Sequence, residues 1–174
     1  MRETHGFLFI ISWLLIGSFA GGYLFCQNPG MKYSRDFTIN DYSLQQQNWW
    51  ITQDRTGFIY VANQGGVLKY DGVSWDTIDI PNVTARSLAI DDAGTIFIGG
   101  IDELGFLEQD SSGKKVYNSL TGYIDGNKKP FGKVLETHAA KDAVYFRTLK
   151  YVFRWNPRQN QMTVIAHWSL IVNH

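Results

Sequence analysis

The chain has 174 residues, 44% of them apolar and 15% aromatic, and its 16 Lys and Arg balance 16 Asp and Glu. That composition is ordinary for a globular protein and excludes a disordered or collagen-like chain. Neutral charge with no basic run leaves no footprint for a phosphate backbone, so no nucleic-acid partner is expected, and a single cysteine excludes an internal disulfide framework or a cysteine-built zinc site.

The first 26 residues differ in character from the rest. Residues 7–16 read FLFIISWLLI, and the small residues Ser18, Ala20, Gly21 and Gly22 follow. A short apolar run of this kind before a small-residue site is the pattern of a secretory signal peptide. Residues 6–25 also hold 20 positions without a charge, near the ~20 needed to cross a bilayer, so an inner-membrane signal anchor is the alternative reading. Both place residues 27–174 outside the cytoplasm, in the periplasm or another extracytoplasmic space. Cys26 follows Phe25, where a lipid-attachment site takes a small residue, and it reads as a lone thiol beside the leader.

Behind the leader the sequence repeats. Residues 49–72, WWITQDRTGFIYVANQGGVLKYDG, lie over residues 86–113, RSLAIDDAGTIFIGGIDELGFLEQDSSG, with the turn glycines Gly57 and Gly94 spaced 37 residues apart. A third copy, without those glycines, runs through Ala143-Val144-Tyr145-Phe146 and Tyr151-Val152-Phe153-Arg154-Trp155, and residues 123–130 read as an inserted loop before it. Apolar and polar residues alternate over short runs bounded by Gly, Asp and Asn, which predicts strands rather than helices. In the first copy the strands fall near residues 49–53, 58–62, 67–70 and 75–80. Asp54-Arg-Thr-Gly57 and Asp91-Asp-Ala-Gly94 have the chemistry of tight turns, a carboxylate to cap the bend and a glycine for positive φ. Asp71-Gly72 and Asp125-Gly126 are further turn pairs. Four strands in about 40 residues is the size of a β-propeller blade. The expected fold is therefore all-β: after a hydrophobic leader helix, a partial β-propeller of about three four-stranded antiparallel blades, near residues 48–80, 85–119 and 131–168.

The segments at residues 41–75 (DYSLQQQNWWITQDRTGFIYVANQGGVLKYDGVSW), 86–110 (RSLAIDDAGTIFIGGIDELGFLEQD) and 144–155 (VYFRTLKYVFRW) resemble the amino-terminal end of the two-component regulator propeller family. These are the exported sensor modules of bacterial hybrid histidine kinases and triple-tyrosine regulators. The resemblance implies a ligand-sensing propeller followed by a transmembrane helix and a cytoplasmic output. Neither a second apolar span nor a kinase motif occurs in these residues, so the array reads as part of a longer protein.

Little in the chain suggests catalysis. The histidines at 5, 138, 167 and 174 have no partner at metal-ligand spacing, and no nucleophile elbow, zincin, dinucleotide or phosphate-loop motif occurs. No cofactor is implied. Asp92-Ala-Gly94-Thr-Ile-Phe97 resembles the aspartate box of sialidase propellers, which is itself a structural hairpin. Asn82-Val83-Thr84 matches an N-glycosylation pattern, which turn chemistry explains equally well.

Binding is better supported. In a propeller the turns between second and third strands and the crossings between blades gather at one end, near the channel. Here these are residues 63–66, 100–103 and 148–150, with crossings at 81–84 and 120–131. They present Asn63, Gln64, Asp102, Glu103 and Lys150 as candidate ligand groups, and Arg86 and Arg147, read as ends of inner strands, either face the channel or pair with an acid. Trp49-Trp50 offers a stacking surface, although alternation along a strand turns one ring toward the core. The expected partners are a small polar or sugar-like ligand, the missing blades or output domain of a full-length protein, and a second copy in a homodimer. The function expected is an extracytoplasmic ligand-sensing propeller portion of a signal-transduction regulator, not an enzyme; the alternative is an exported carbohydrate-active propeller enzyme or carbohydrate-binding accessory domain.

Three blades leave two sheet faces open, and residues 36–42, DFTINDY, are expected to supply an extra strand closing a ring. Residues 27–174 expressed alone should therefore be marginally stable, oligomeric or aggregation-prone. A monodisperse monomer with one sharp melt in sedimentation and calorimetry would show that the array is closed by other means.

Overall fold

A computed structural model describes residues 34–82 and 84–167. The chain divides into two compact units, Met1–Asp36 and Phe37–His174; the leader expected over residues 1–26 lies outside the described residues. No helix among the described residues is long and apolar enough to cross a membrane.

The described residues of the second unit form twelve strands in three antiparallel sheets of four, each in simple sequence order. The first blade holds β1 (Asn48–Gln53), β2 (Ile59–Asn63), β3 (Gly66–Tyr70) and β4 (Trp75–Ile78). The second holds β5 (Ala85–Ile90), β6 (Ile96–Gly100), β7 (Leu104–Gln109) and β8 (Lys115–Ser119). The third holds β9 (Val134–Ala140), β10 (Ala143–Thr148), β11 (Tyr151–Asn156) and β12 (Gln161–His167). The first strands β1, β5 and β9 pack side by side, and the later strands fan outward. This is a partial β-propeller, as the repeat predicts.

Alternation within β6 explains how the blades hold together. Ile96 and Ile98 face the first blade, joining Tyr60, Ala62 and Val67 in one core, while Phe97 faces the third, joining Val134, Phe146 and Phe153 in another. β6 is buried along its whole length, so it lacks the polar face of a solvated strand, while β8 at the rim of the same sheet still alternates toward solvent. Close approach also requires glycine: a Cβ on Gly99 would overlap the Val134 side chain, and one on Gly105 would overlap the Asn118 carbonyl and the Tyr117 ring. At the axis the buried Ser87 and Thr137 hydroxyls join β5 to β9 at 2.7 Å.

Residues 36–42 do not form a strand. Ile39–Tyr42 is a single helical turn, α1, where the Thr38 amide and hydroxyl both donate to Asp41 Oδ2 at 2.6 and 2.9 Å. Phe37, Tyr42 and Leu44 then pack on the outward face of the first blade against Val61, Leu68 and Trp75. Phe37 and Tyr42 meet the Trp75 indole edge-on at 5.2 and 5.8 Å. A helical start signal and an apolar face to cover outweigh β pairing here. One of the two sheet faces expected to be open is thus closed by the chain itself.

The crossing between the second and third blades also differs from a solvated insertion. It forms two 3-10 turns, Thr121–Tyr123 and Gly126–Lys128, while Leu120, Ile124 and Phe131 enter the core between the blades. Tyr123 packs on Trp155 at 4.9 Å.

Gly105→Ala should lower stability by about 1–3 kcal/mol, since the added methyl meets backbone as well as a ring, whereas Val73→Ser, at a site 83% exposed, should stay within about 0.5 kcal/mol of the parent. Urea midpoints of the two variants test the comparison.

Candidate functional site

The two ends of the blades are built differently. At the end carrying the first-to-second and third-to-fourth turns, aspartates close the bends. Asp54 Oδ1 accepts from the Thr56 amide and hydroxyl and the Phe58 amide at 2.6–3.0 Å, and Gly57 takes φ 95°. Asp91 and Asp110 do the same in the second blade, with Gly94 at φ 85° and Gly113 at φ 82°. Asp71 caps the remaining tight turn of the first blade through the Val73 and Ser74 amides. In the aspartate-box segment the capping carboxylate is that of Asp91; Asp92 points to solvent, 3.6 Å from Arg55. These hydrogen bonds hold Asp54 below the usual carboxylate range against the opposing effect of its burial.

At the other end the loops are tied to one another. The Gln64 carbonyl accepts from Thr84 Oγ1 at 3.2 Å, Asn82 Nδ2 donates to the Ile101 carbonyl at 3.2 Å, and Asp102 exchanges two hydrogen bonds with Gly132 at 2.6 and 2.9 Å. The second-to-third turns of the first two blades are thereby fastened to crossings between blades, while that of the third is closed locally by Thr148.

The candidate groups divide on this geometry. Asn63 is fully buried, with Nδ2 donating to the Gln45 carbonyl and Asn48 Oδ1 while Oδ1 accepts from the Gly65 amide, so its amide is engaged within the fold. Glu103 is 6% exposed, and its Oε1 accepts from Tyr117 Oη, Ser119 Oγ and the Leu104 amide. Arg147 is the last residue but one of β10, a second strand rather than an inner one, and makes a two-pronged pair with Glu136 across to β9 at 2.9 and 3.0 Å. That pair lowers the Glu136 carboxyl and raises the arginine. Gln64 and Lys150 remain exposed on their turns. Gln64, Asp102 and Glu103 thus share one end of the first two blades, and Arg147 lies on the sheet of the third.

Arg86 is the exception. In every blade the pairing of first and second strands slips by one residue near the loop end, leaving an extra residue on the first strand: Trp49, Arg86 and Leu135. These are β-bulges, which re-aim side chains out of the pleat. The Arg86 guanidinium carbon lies 3.4 Å above the centre of the Trp49 ring. Among the described residues no carboxylate lies within ion-pair distance of Arg86 and its guanidinium has no hydrogen bond. Partial burial lowers its pKa, although it stays charged at neutral pH. The same bulge overturns the expectation that one of Trp49 and Trp50 faces the core: both stay open, at 36% and 39% exposure, because the slip breaks the alternation between them.

A cleft of about 720 Å³ opens between the first two blades at the aspartate-turn end, lined by Phe58, Lys69, Asp76, Gln109 and Lys115 among others. Lys69 Nζ sits 4.0 Å over the Phe58 ring. Sequence reasoning missed this space because its residues come from outer strands whose neighbourhood depends on how the blades splay.

No family model matches the chain, and no curated protein matches it. A solved structure similar to it is the extracellular domain of a hybrid two-component system of B. thetaiotaomicron, at 16% identity and a TM-score of 0.37 over 68% of this chain and 21% of that one. The chain spans about a fifth of that protein's length.

Tyr60 is pushed up to about 12 by burial and the Asp54 charge beside it, and Tyr117 is pushed up further by burial and Glu103. Both phenols favour the folded state while protonated, so their contribution is complete below the unfolded tyrosine value of about 10 and is lost as pH rises beyond it. In an absorbance titration Tyr60 and Tyr117 should ionise above the free tyrosine value, together with unfolding. Tyr60→Phe should move alkaline unfolding to higher pH. At neutral pH, Tyr117→Phe should cost about 1–3 kcal/mol by removing a donor from a buried carboxylate.

Proposed function

We propose that the chain is a ligand-binding propeller portion of an exported signal-transduction regulator, and that it acts by binding rather than catalysis. One observation carries this reading: a half-buried guanidinium, unpaired among the described residues and stacked on an open indole, where the inner strands meet a fixed set of polar loops. An aromatic platform beside free donors is the equipment of a binding site. Among the described residues it holds no nucleophile-and-base pair of the kind that supports hydrolysis of a glycosidic or acyl bond.

The sequence supports the signalling context through the three segments that resemble two-component regulator propellers. In such a protein a ligand acts only through unequal affinity for two arrangements of the ectodomain. The loop end suits that task, because the Gln64–Thr84, Asn82–Ile101 and Asp102–Gly132 bonds link the turns of the first two blades to crossings. A ligand seated there touches two blades at once and changes their relative stability. Export is part of the same proposal and rests on the leader sequence.

The test is a screen of small polar metabolites and neutral and acidic oligosaccharides against the full 174-residue chain, followed by tryptophan fluorescence and by product analysis. Saturable binding with every ligand recovered intact is expected. Turnover of any oligosaccharide would establish the carbohydrate-active enzyme instead, and no saturable response across the panel would remove the binding reading.

A further inference from the structure

Because Arg86 is an extra residue on β5, its side chain leaves the pleat and lies flat on Trp49 of the neighbouring blade, 3.4 Å from the ring centre. Stacking uses the face of the guanidinium. Its N–H groups lie in its plane, and none is spent on a hydrogen bond or ion pair with a described residue. The contrast with Arg147 is informative, since that arginine has its acid directly opposite on the adjacent strand. Across from Arg86, β6 offers Gly99 and Gly100, which carry no side chain to pair with it. The acids of the adjoining turn are committed elsewhere, Glu103 to Tyr117 and Ser119 and Asp102 to Gly132. A partly dehydrated cation left without a counter-ion gains from any anion that can reach its edge.

We infer that Arg86, held flat by Trp49, is a specificity group for a small carboxylate-bearing ligand, whose two oxygens meet the guanidinium edge while its body lies along the exposed indole. A carboxylate fits better than a phosphate dianion because the site supplies one fork and a single positive charge. This rests on the binding reading above and narrows it from a polar ligand to an acidic one.

Gluconate and sorbitol make a suitable probe pair, since they share a polyol chain and differ only in one carboxylate against one hydroxymethyl group. With the full chain, tryptophan fluorescence should show gluconate binding at least tenfold tighter than sorbitol. Arg86→Gln should bring the two within about twofold, and Arg86→Lys should keep the preference for charge while losing most of the affinity, because an ammonium cannot form the two-pronged contact. Near-ultraviolet circular dichroism confirms that each variant folds, and Lys115→Gln in the opposite cleft serves as the control that leaves the preference intact. Equal binding of gluconate and sorbitol overturns the inference, as does a gluconate preference that survives Arg86→Gln, one abolished by Lys115→Gln, or no gluconate response at all. If neutral ligands from the wider screen still bind, the sensing proposal stands without this one; if gluconate binds through Arg86 but an oligosaccharide is hydrolysed, the acid specificity stands and the sensing proposal falls.

Discussion

Strand β6 is buried on both faces, with Ile96, Phe97 and Ile98 each at most 2% exposed, and the rest of the structure depends on that double burial. One side chain after another turns to the first blade, then to the third, so a five-residue strand contributes to two cores. At about 25 cal/mol per Å² of buried apolar surface this interlocking is the main source of cohesion between blades. The hydrogen bonds of the sheets run within blades, so apolar packing must do most of what the backbone cannot. It also explains why glycines stand at positions 99 and 105: the cores close only where Val134 and Tyr117 can approach the bare backbone.

An array built this way must do something with the faces at its ends. The first blade presents Val61 and Leu68 outward, and the chain covers them with its own residues 37–44, using the two aromatic contacts of Phe37 and Tyr42 to Trp75. The third blade presents a different surface. Glu136, His138, Tyr145, Arg147 and Arg154 share its outward face by register, and they are exposed or half-buried. The Glu136–Arg147 pair supplies charge where the equivalent side of the second blade has Phe97 and Gly99. The two outer blades therefore meet their surroundings by different means, one with an apolar cover and one with a charged sheet.

Much of this was legible in the sequence. The strands of the first copy fall within a residue or two of their predicted places, because period-two alternation and Asp-x-x-Gly turns are local signals with local causes. Asp110-Ser-Ser-Gly113 has the same form and adopts the same turn, though it joins third and fourth strands rather than first and second. What could not be read depends on packing or register. The bulges at Trp49, Arg86 and Leu135 leave no mark on composition, yet they decide where those side chains go. Residues 36–42 have enough β-branched and aromatic character to pass for a strand, but Thr38 and Asp41 close a helical turn first. Asn63 and Glu103 look like free polar groups on loops, and only the folded chain shows their partners. The clefts between blades depend on the splay of the sheets, which no local pattern encodes.

The difference between the two ends bears on where a ligand can act. At the aspartate-turn end each capping carboxylate closes its own bend through hydrogen bonds spanning two to four residues, and the first two blades meet there through the exposed Arg55–Asp92 pair. At the loop end the hydrogen bonds join residues about 20 to 30 positions apart and pass from blade to blade. A ligand in the cleft at the first end lies between two blades without reaching their crossing; a ligand at the second bears on the crossing itself. On the proposed sensing function a signal leaves the propeller as a change in how its blades or copies are arranged, and the loop end, where the crossings lie, is the better placed to receive it. Arg86 belongs to that end and already spans two blades through Trp49, so neutralising its charge changes an inter-blade contact directly.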